Sequence, residues 1–292
     1  MTSTLRHPVA HEAIEQLGQL EQLDEPAKVV GKKVRDTVPP GPVKDALSGT
    51  WLGHALHPLL TDLPIGTWTS AVLLDLVGGK RAQPAADRLI ALGLLFTAPA
   101  ATTGLTEWAD SEAADESVRR VGIVHAALNT GAATLFGASL LARKRGARGA
   151  GKALALAGAG LMGASGHLGG HLSYARGVGV DQTAFEDGPD EWTAALRESE
   201  LPEGESRYAE VGGVGVMVAR WEGEIHALAN HCAHRGGPLD EGELADGCVT
   251  CPLHGSRFKL ADGSVVQGPS AYPQPSWDVR VRDGVIELKP PA

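Results

Sequence analysis

Apolar and polar positions follow three different rhythms along the chain, and the rhythm changes twice. Up to about residue 50 the sequence is polar and mixed in charge, with Ile14, Leu17 and Leu20 at helical spacing before the breaker PPGP at 39–42. That stretch predicts a surface amphipathic helix, then a turn and a linker. The middle of the chain is built from Leu, Ala and Gly. Leu89 to Leu105 has 17 residues without a charge, Val121 to Ala142 has 22 with His125 as its only ionisable group, and Ala153 to Ala175 has 23. Each is near the ~20 residues that a membrane-crossing helix needs. A fourth segment, His57 to Val77, is interrupted by Asp62, Pro64 and Asp75, so its uncharged stretch is only the 12 residues Leu63 to Leu74. From Thr183 the pattern turns to strands. Residues 211–230 predict two strands joined at WEGE, 256–266 a hairpin turning at DG, and 277–288 another hairpin.

The expected fold is therefore multidomain α plus β: an N-terminal four-helix bundle, read as transmembrane, followed by a small all-β domain. The expected boundaries are 1–50 for the helix and linker, 51–176 for the bundle, 177–204 for a Gly-, Asp- and Glu-rich linker, and 205–292 for the β domain. A soluble Ala-rich bundle is the alternative, but the Gly-rich helices lack the charged outer faces that water demands. Gly158, Gly160, Gly163, Gly166 and Gly170 would permit the close helix contacts that membrane interfaces favour.

Composition narrows the function. A net charge of -9 offers no basic footprint, so nucleic acid is not an expected partner. The start MTSTLRHPVAHEAIEQL shows no basic region followed by an apolar core, so no cleavable export signal is expected. All three cysteines, Cys232, Cys248 and Cys251, fall within 20 residues, a spacing that suits metal better than disulfides.

That cluster carries the chemistry. CAH at 232–234 and CPLH at 251–254 give C-x-H, sixteen intervening residues, then C-x2-H, each expected in a turn between strands. This is the Rieske pattern, and the surrounding NHCAHRGGPLDEG and CPLHGSRF resemble Rieske ferredoxin-like domains from about Ser206 to Pro290. The resemblance implies a 2Fe-2S cluster with Cys232 and Cys251 on one iron and His234 and His254 on the other. Neutral imidazoles make such a cluster less negative than four thiolates would, in a range of about -150 to +300 mV. Zinc on Cys248, Cys251 and His254 is the competing metal reading. Cys248 has no place in the Rieske pattern and is expected in a strand as core. Gly237 and Leu253 stand where high-potential members carry a disulfide. Ser256 is a candidate hydrogen-bond donor to a cluster sulfide, and Phe258 occupies the place of a potential-raising tyrosine, so a low to intermediate potential is expected. QGPSAYPQP at 267–275 looks like the proline loop that covers the cluster. With 38 residues after His254, no oxygenase catalytic domain is expected, only an oxidoreductase component.

The 57–176 region resembles an uncharacterised family of predicted four-helix membrane proteins marked by HPLLTDLPIG and often found beside Rieske domains. In an up-down-up-down bundle His57, His125, His167 and His171 gather at one end, with His54 just before it. They are candidate ligands of haem b, and the bundle end is expected to face the Rieske domain. A non-haem metal, a quinone site, or histidines that only hydrogen-bond at helix ends remain open alternatives. The basic loops KRAQPAADR and RKRGARGAGK place both termini outside by the positive-inside rule. The missing export signal and disulfide point to the reducing side instead, so orientation stays open. The resulting expectation is a multi-pass protein of the cell membrane, in contact with lipid. It would exchange single electrons with a redox partner protein, haem b or quinone. Alternatives are a membrane-anchored ferredoxin for a separate oxygenase or reductase, and a redox or metal sensor.

Overall fold

The computed structural model describes residues 9–290; residues 1–8, where the search for an export signal began, lie outside the described residues, as do Pro291 and Ala292. Seven helices precede ten strands: α1 Val9–Gly18, α2 Asp24–Thr37, α3 Pro42–Ser48, α4 Leu56–Val77, α5 Gln83–Ser111, α6 Glu116–Lys144 and α7 Arg148–Tyr174, then β1 Thr193–Arg197, β2 Ser206–Val211, β3 Val214–Trp221, β4 Glu224–Ala229, β5 Glu243–Ala245, β6 Cys248–Thr250, β7 Arg257–Lys259, β8 Val265–Gln267, β9 Ser276–Arg282 and β10 Val285–Lys289. They form two compact units. One holds the described residues up to Thr37 together with Leu56–Val178, and the other holds Val38–Ala55 together with the described residues from Gly179 onward.

The helical unit contains the four expected long helices, α4 to α7, and adds α1 and α2 beside them. Two of the long helices start or stop at a local signal. Asp115 caps α6 by accepting the Ser117 and Val118 N–H groups at 2.7 and 3.1 Å, and α4 ends at Gly78-Gly79, where Gly79 has φ 63°. The interior between the helices is filled by small or flat side chains. Ala71, Ala86, Ala132 and Ala155 are almost fully buried, and Trp68 stacks on Phe136 with ring centroids 4.2 Å apart. Leucines point outward instead, with Leu73, Leu76, Leu95 and Leu156 all more than half exposed. Small inside and large outside inverts the arrangement of a water-soluble bundle. By length and composition two helical segments, Lys80–Ser111 and Glu116–Lys144, are apolar enough to cross a membrane.

The expected glycine stripe on α7 is largely unused: Gly160, Gly163 and Gly166 face open space, and only Gly158 meets a neighbouring helix, at Phe136. The close approaches lie elsewhere. Gly93 receives Trp68 and Gly122 receives Trp108, and each indole N–H donates to a backbone carbonyl at 3.2 Å, of Ile90 and Val118 respectively. Charged side chains sit at both ends of the bundle. Arg143 of α6 clamps Asp75 of α4 and reaches Asp87 of α5 at 3.2 Å, and Arg148 of α7 completes this set on Asp87. At the opposite end Arg120 grips Asp24 of α2 at 2.8 Å, while Arg119 and Arg35 share Glu112.

The N-terminal expectation needs correcting. Ile14 and Leu17 pack into α1 as predicted, but Leu20 lies beyond its end and is exposed. Residues 24–37, read as part of a polar linker, form α2, because Ala27 and Gly31 give it a narrow face that can be buried. Val38–Ala55 belongs to the β unit rather than to the helical one.

The β unit has two antiparallel sheets, ordered β1-β10-β9-β4-β3-β2 and β5-β6-β7-β8. Strand β3 shows why. Val214, Val216 and Val218 enter one core cluster, while the alternate positions Met217 and Ala219 enter another that also holds Cys232, Cys251 and Phe258. A strand buried on both faces needs this unbroken apolar run. The predicted hairpins are present, with Asp283-Gly284 at φ 51° and 74° turning β9 into β10. The expected 177–204 linker is overturned in part, since β1 lies within it and pairs with β10.

Candidate iron-sulfur site

Two ligand turns hang from the sheets, and they are built alike. In the first, the Cys232 N–H donates to the Gly237 carbonyl at 2.9 Å and the Gly236 N–H returns to the Cys232 carbonyl at 2.7 Å. In the second, the Cys251 N–H donates to the Ser256 carbonyl at 2.8 Å and the Gly255 N–H returns to the Cys251 carbonyl at 3.1 Å. Both turns close through a left-handed residue four positions after the cysteine. Glycine fills it each time, at φ 70° and 77°. In each turn the N–H groups two and three residues after the first turn's cysteine and after the second's point at its sulfur: those of His234 and Arg235 at Cys232, and those of Leu253 and His254 at Cys251.

The four side chains converge in pairs. Cys232 and Cys251 are buried and hydrogen-bonded to one another, which pushes the Cys232 thiol well up while bringing Cys251 down to about 7. Metal ligation requires thiolates, so a cysteine already titrating near neutrality eases loading. The rings of His234 and His254 lie edge to face with centroids 5.1 Å apart. Burial, reinforced by the charges of His254, Lys44 and Arg235, keeps His234 neutral far below the usual histidine range. A pair of sulfurs and a pair of imidazoles fit a binuclear centre with divided ligation.

Cys248 is in β6, buried, with its thiol directed at the Asp246 carbonyl at 3.6 Å. A Cβ at Gly237 would stand 2.8 Å from the Cys251 sulfur and 3.0 Å from Leu253, so the place of the absent disulfide is a tight one. Ser256 is fully buried and its Oγ accepts the Ser270 N–H at 3.0 Å, which leaves the hydroxyl hydrogen for another acceptor. Phe258 is core.

Three features were missed. Gln274, 1% exposed, donates to the Ala229 and His231 carbonyls at 2.8 and 2.6 Å and accepts the Ala233 N–H at 2.9 Å, so it braces the first ligand turn on both sides. Asp45 accepts the Gly268 N–H at 3.0 Å, and Thr50 donates to the Ser270 carbonyl at 3.1 Å. No motif marks Gln274, and Val38–Ala55 is remote in sequence from the loop it touches.

The bundle histidines are placed differently from the expectation of paired axial ligands. His57 and His125 are both half-buried. His57 Nδ1 bonds the Ala100 carbonyl at 2.9 Å, with its ring against Gly104. His125 uses both nitrogens, Nδ1 toward the Ser165 carbonyl at 2.8 Å and Nε2 toward the Asn129 amide at 3.1 Å. His167 is exposed on α7, and His171 lies beside His11, Arg176 and Glu15. His54 bonds the neighbouring Ala55 carbonyl and falls in the β unit. Of the candidates, His125 has both ring nitrogens taken by hydrogen bonds, and haem b has no support among the relatives.

Comparison with known proteins decides the family. Residues 191–278 match the Rieske 2Fe-2S domain, and residues 53–182 match a family described as Predicted membrane protein (DUF2231). The anthranilate 1,2-dioxygenase ferredoxin subunit of Burkholderia cepacia is 31% identical over 98 residues, covering 34% of this chain and 91% of that protein. The chain belongs to the Rieske 2Fe-2S family. Its Rieske domain is also similar to Apoptosis-inducing factor 3 of Homo sapiens, at 33% identity over 96 residues, and to the cytochrome b6-f complex iron-sulfur subunit of Chlorobaculum tepidum, at 30% over 88 residues. The matches cover 33% and 30% of this chain, but only 16% and 48% of those relatives. A Rieske 2Fe-2S cluster is thus the supported cofactor.

Proposed function

We propose that this protein is a membrane-anchored Rieske electron carrier that passes single electrons to a separate oxidoreductase. The observation that carries the reading is the pair of matching ligand turns, each presenting one buried cysteine beside one histidine. When bound, the cluster takes up and releases one electron. Cys232 and Cys251 would hold the first iron, with backbone N–H groups aimed at both sulfurs to stabilise their negative charge. His234 and His254 would hold the second. Of these His234 is buried and His254 half-buried, so His254 is the edge through which a partner gains access. The outward leucines and small-residue interior of α4–α7 support a multi-pass anchor in contact with lipid.

The test uses the full chain purified from the membrane fraction. Dithionite reduction should bring up the electron paramagnetic resonance spectrum of a Rieske centre, without the sharp α-bands of a b-type haem. Cys232→Ser should abolish that signal and Cys248→Ser should leave it intact. A signal that depends on Cys248, or tightly bound zinc in place of iron, would overturn the reading. Reduction of the cluster by a quinol, with no protein donor present, would replace the partner protein with quinone.

A further inference from the structure

The segment Val38–Ala55 lies about 180 residues before the first ligand turn and yet shares its compact unit. It is fastened at three places. Asp45 accepts the Gly268 N–H at 3.0 Å, Thr50 donates to the Ser270 carbonyl at 3.1 Å, and Pro40 lies against Gly255, the residue after His254, where a Cβ would come within 3.1 Å of its ring. The loop it grips also carries Ser270, whose N–H donates to the buried Ser256 Oγ, so the segment, the proline loop and the second ligand turn are linked in series. Between these fastenings α3 carries Lys44. Its side chain is buried, 3% exposed, and its charge reaches the ring of His234.

We propose that Val38–Ala55 is a strap that closes the cluster site, and that Lys44 is a positioning residue that raises the reduction potential. The proposal rests on the Rieske reading of the site. One electron would enter the cluster from a protein donor and leave to an acceptor. The added electron makes the cluster more negative by one charge. A cation held in a poorly screened place on the histidine side favours that reduced state. The bonds from Asp45 and Thr50 hold α3 so that the charge stays there, and they keep the proline loop over the cluster.

The experiment compares full-chain wild type with Lys44→Gln, Lys44→Arg and Thr50→Val. Midpoint potentials are read by redox titration followed by electron paramagnetic resonance, and cluster lifetime in air by visible absorbance. Lys44→Gln should titrate at a lower potential than wild type and Lys44→Arg close to it. Thr50→Val should lose its cluster several-fold faster with an unchanged far-ultraviolet circular dichroism spectrum. Lys44→Met, which keeps the alkyl stem, replaces Lys44→Gln if that variant does not load. Failure of both neutral variants beside a loaded Lys44→Arg supports the role of the charge, whereas failure of all three overturns it. An unmoved potential in Lys44→Gln overturns the assignment of Lys44, and a wild-type lifetime in Thr50→Val overturns the strap. A wild-type protein with no Rieske signal would sink the parent reading itself.

Discussion

Gln274 is the residue on which the first ligand turn most depends. Its amide joins three backbone groups, those of Ala229, His231 and Ala233, and all of them lie in or beside the turn that presents Cys232 and His234. Replacing it by leucine keeps the volume but strands one buried N–H and two buried carbonyls, at roughly 1–3 kcal/mol for each group left unpaired. Gln274→Leu should therefore lower the unfolding midpoint of the β unit and reduce iron content, as read by denaturant titration and iron assay. Gln274→Glu is the informative companion: a glutamate can still accept from Ala233 but cannot donate to the two carbonyls. Its loss should fall between wild type and Gln274→Leu. Cys232, His234, Cys251 and His254 stand out in the sequence as candidate cluster ligands because they obey a fixed spacing. Gln274 does not, since a brace is chosen by the shape of the gap it fills, and any polar residue in the loop would look the same in sequence.

Elements show the same division between local and non-local signals. The long uncharged runs located α4 to α7, and the DG pairs located two hairpins, because those signals are written in neighbouring residues. Helix α2, strand β1 and the strap were misread because each is stabilised by partners far along the chain. Docking of α2 is an instance. The guanidinium of Arg120 donates to both oxygens of Asp24, across 96 residues, and holds that carboxyl below its ordinary value of 3.8. A carboxyl with a lowered folded pKa stabilises the docked state fully above its unfolded value. That contribution fades as pH falls through the lower folded value. The protection of the α2 amides against exchange, relative to the unstructured chain at the same pH, should accordingly fall as the pH is taken below about 3.8, the unfolded value. Asp24→Asn should exchange faster already at neutral pH and lose that component of the acid response. Glu112 and Glu116 also pair with arginines nearby, so the comparison with Asp24→Asn is what isolates Asp24.

At the scale of the molecule, the chain enters the β unit twice, once for Val38–Ala55 and again from Gly179 onward. A Rieske domain cut out at the start of the family match, residue 191, or at Gly179, would lack the strap. Such a fragment should fold, because both core clusters of the sheets lie within residues 201–288. Its cluster should be the weak point, shorter-lived in air and lower in potential than in the full chain. The geometry also suggests the repair. A Cβ built on Gly179 lies 3.6 Å from that of Ala55, so the end of the strap and the second entry of the chain are neighbours. A linker of a few glycines from Ala55 to Gly179 can span that gap and present the strap at a high effective concentration, about millimolar for a short flexible linker. A chain of residues 38–55, that linker and residues 179–290 should therefore recover the lifetime and the potential of the protein that also carries α4–α7. The same strap added as a free peptide at micromolar concentration should recover little of either. Equal cluster lifetimes in the strapped and strapless fragments would show that the determinants lie wholly within the residues after Gly179.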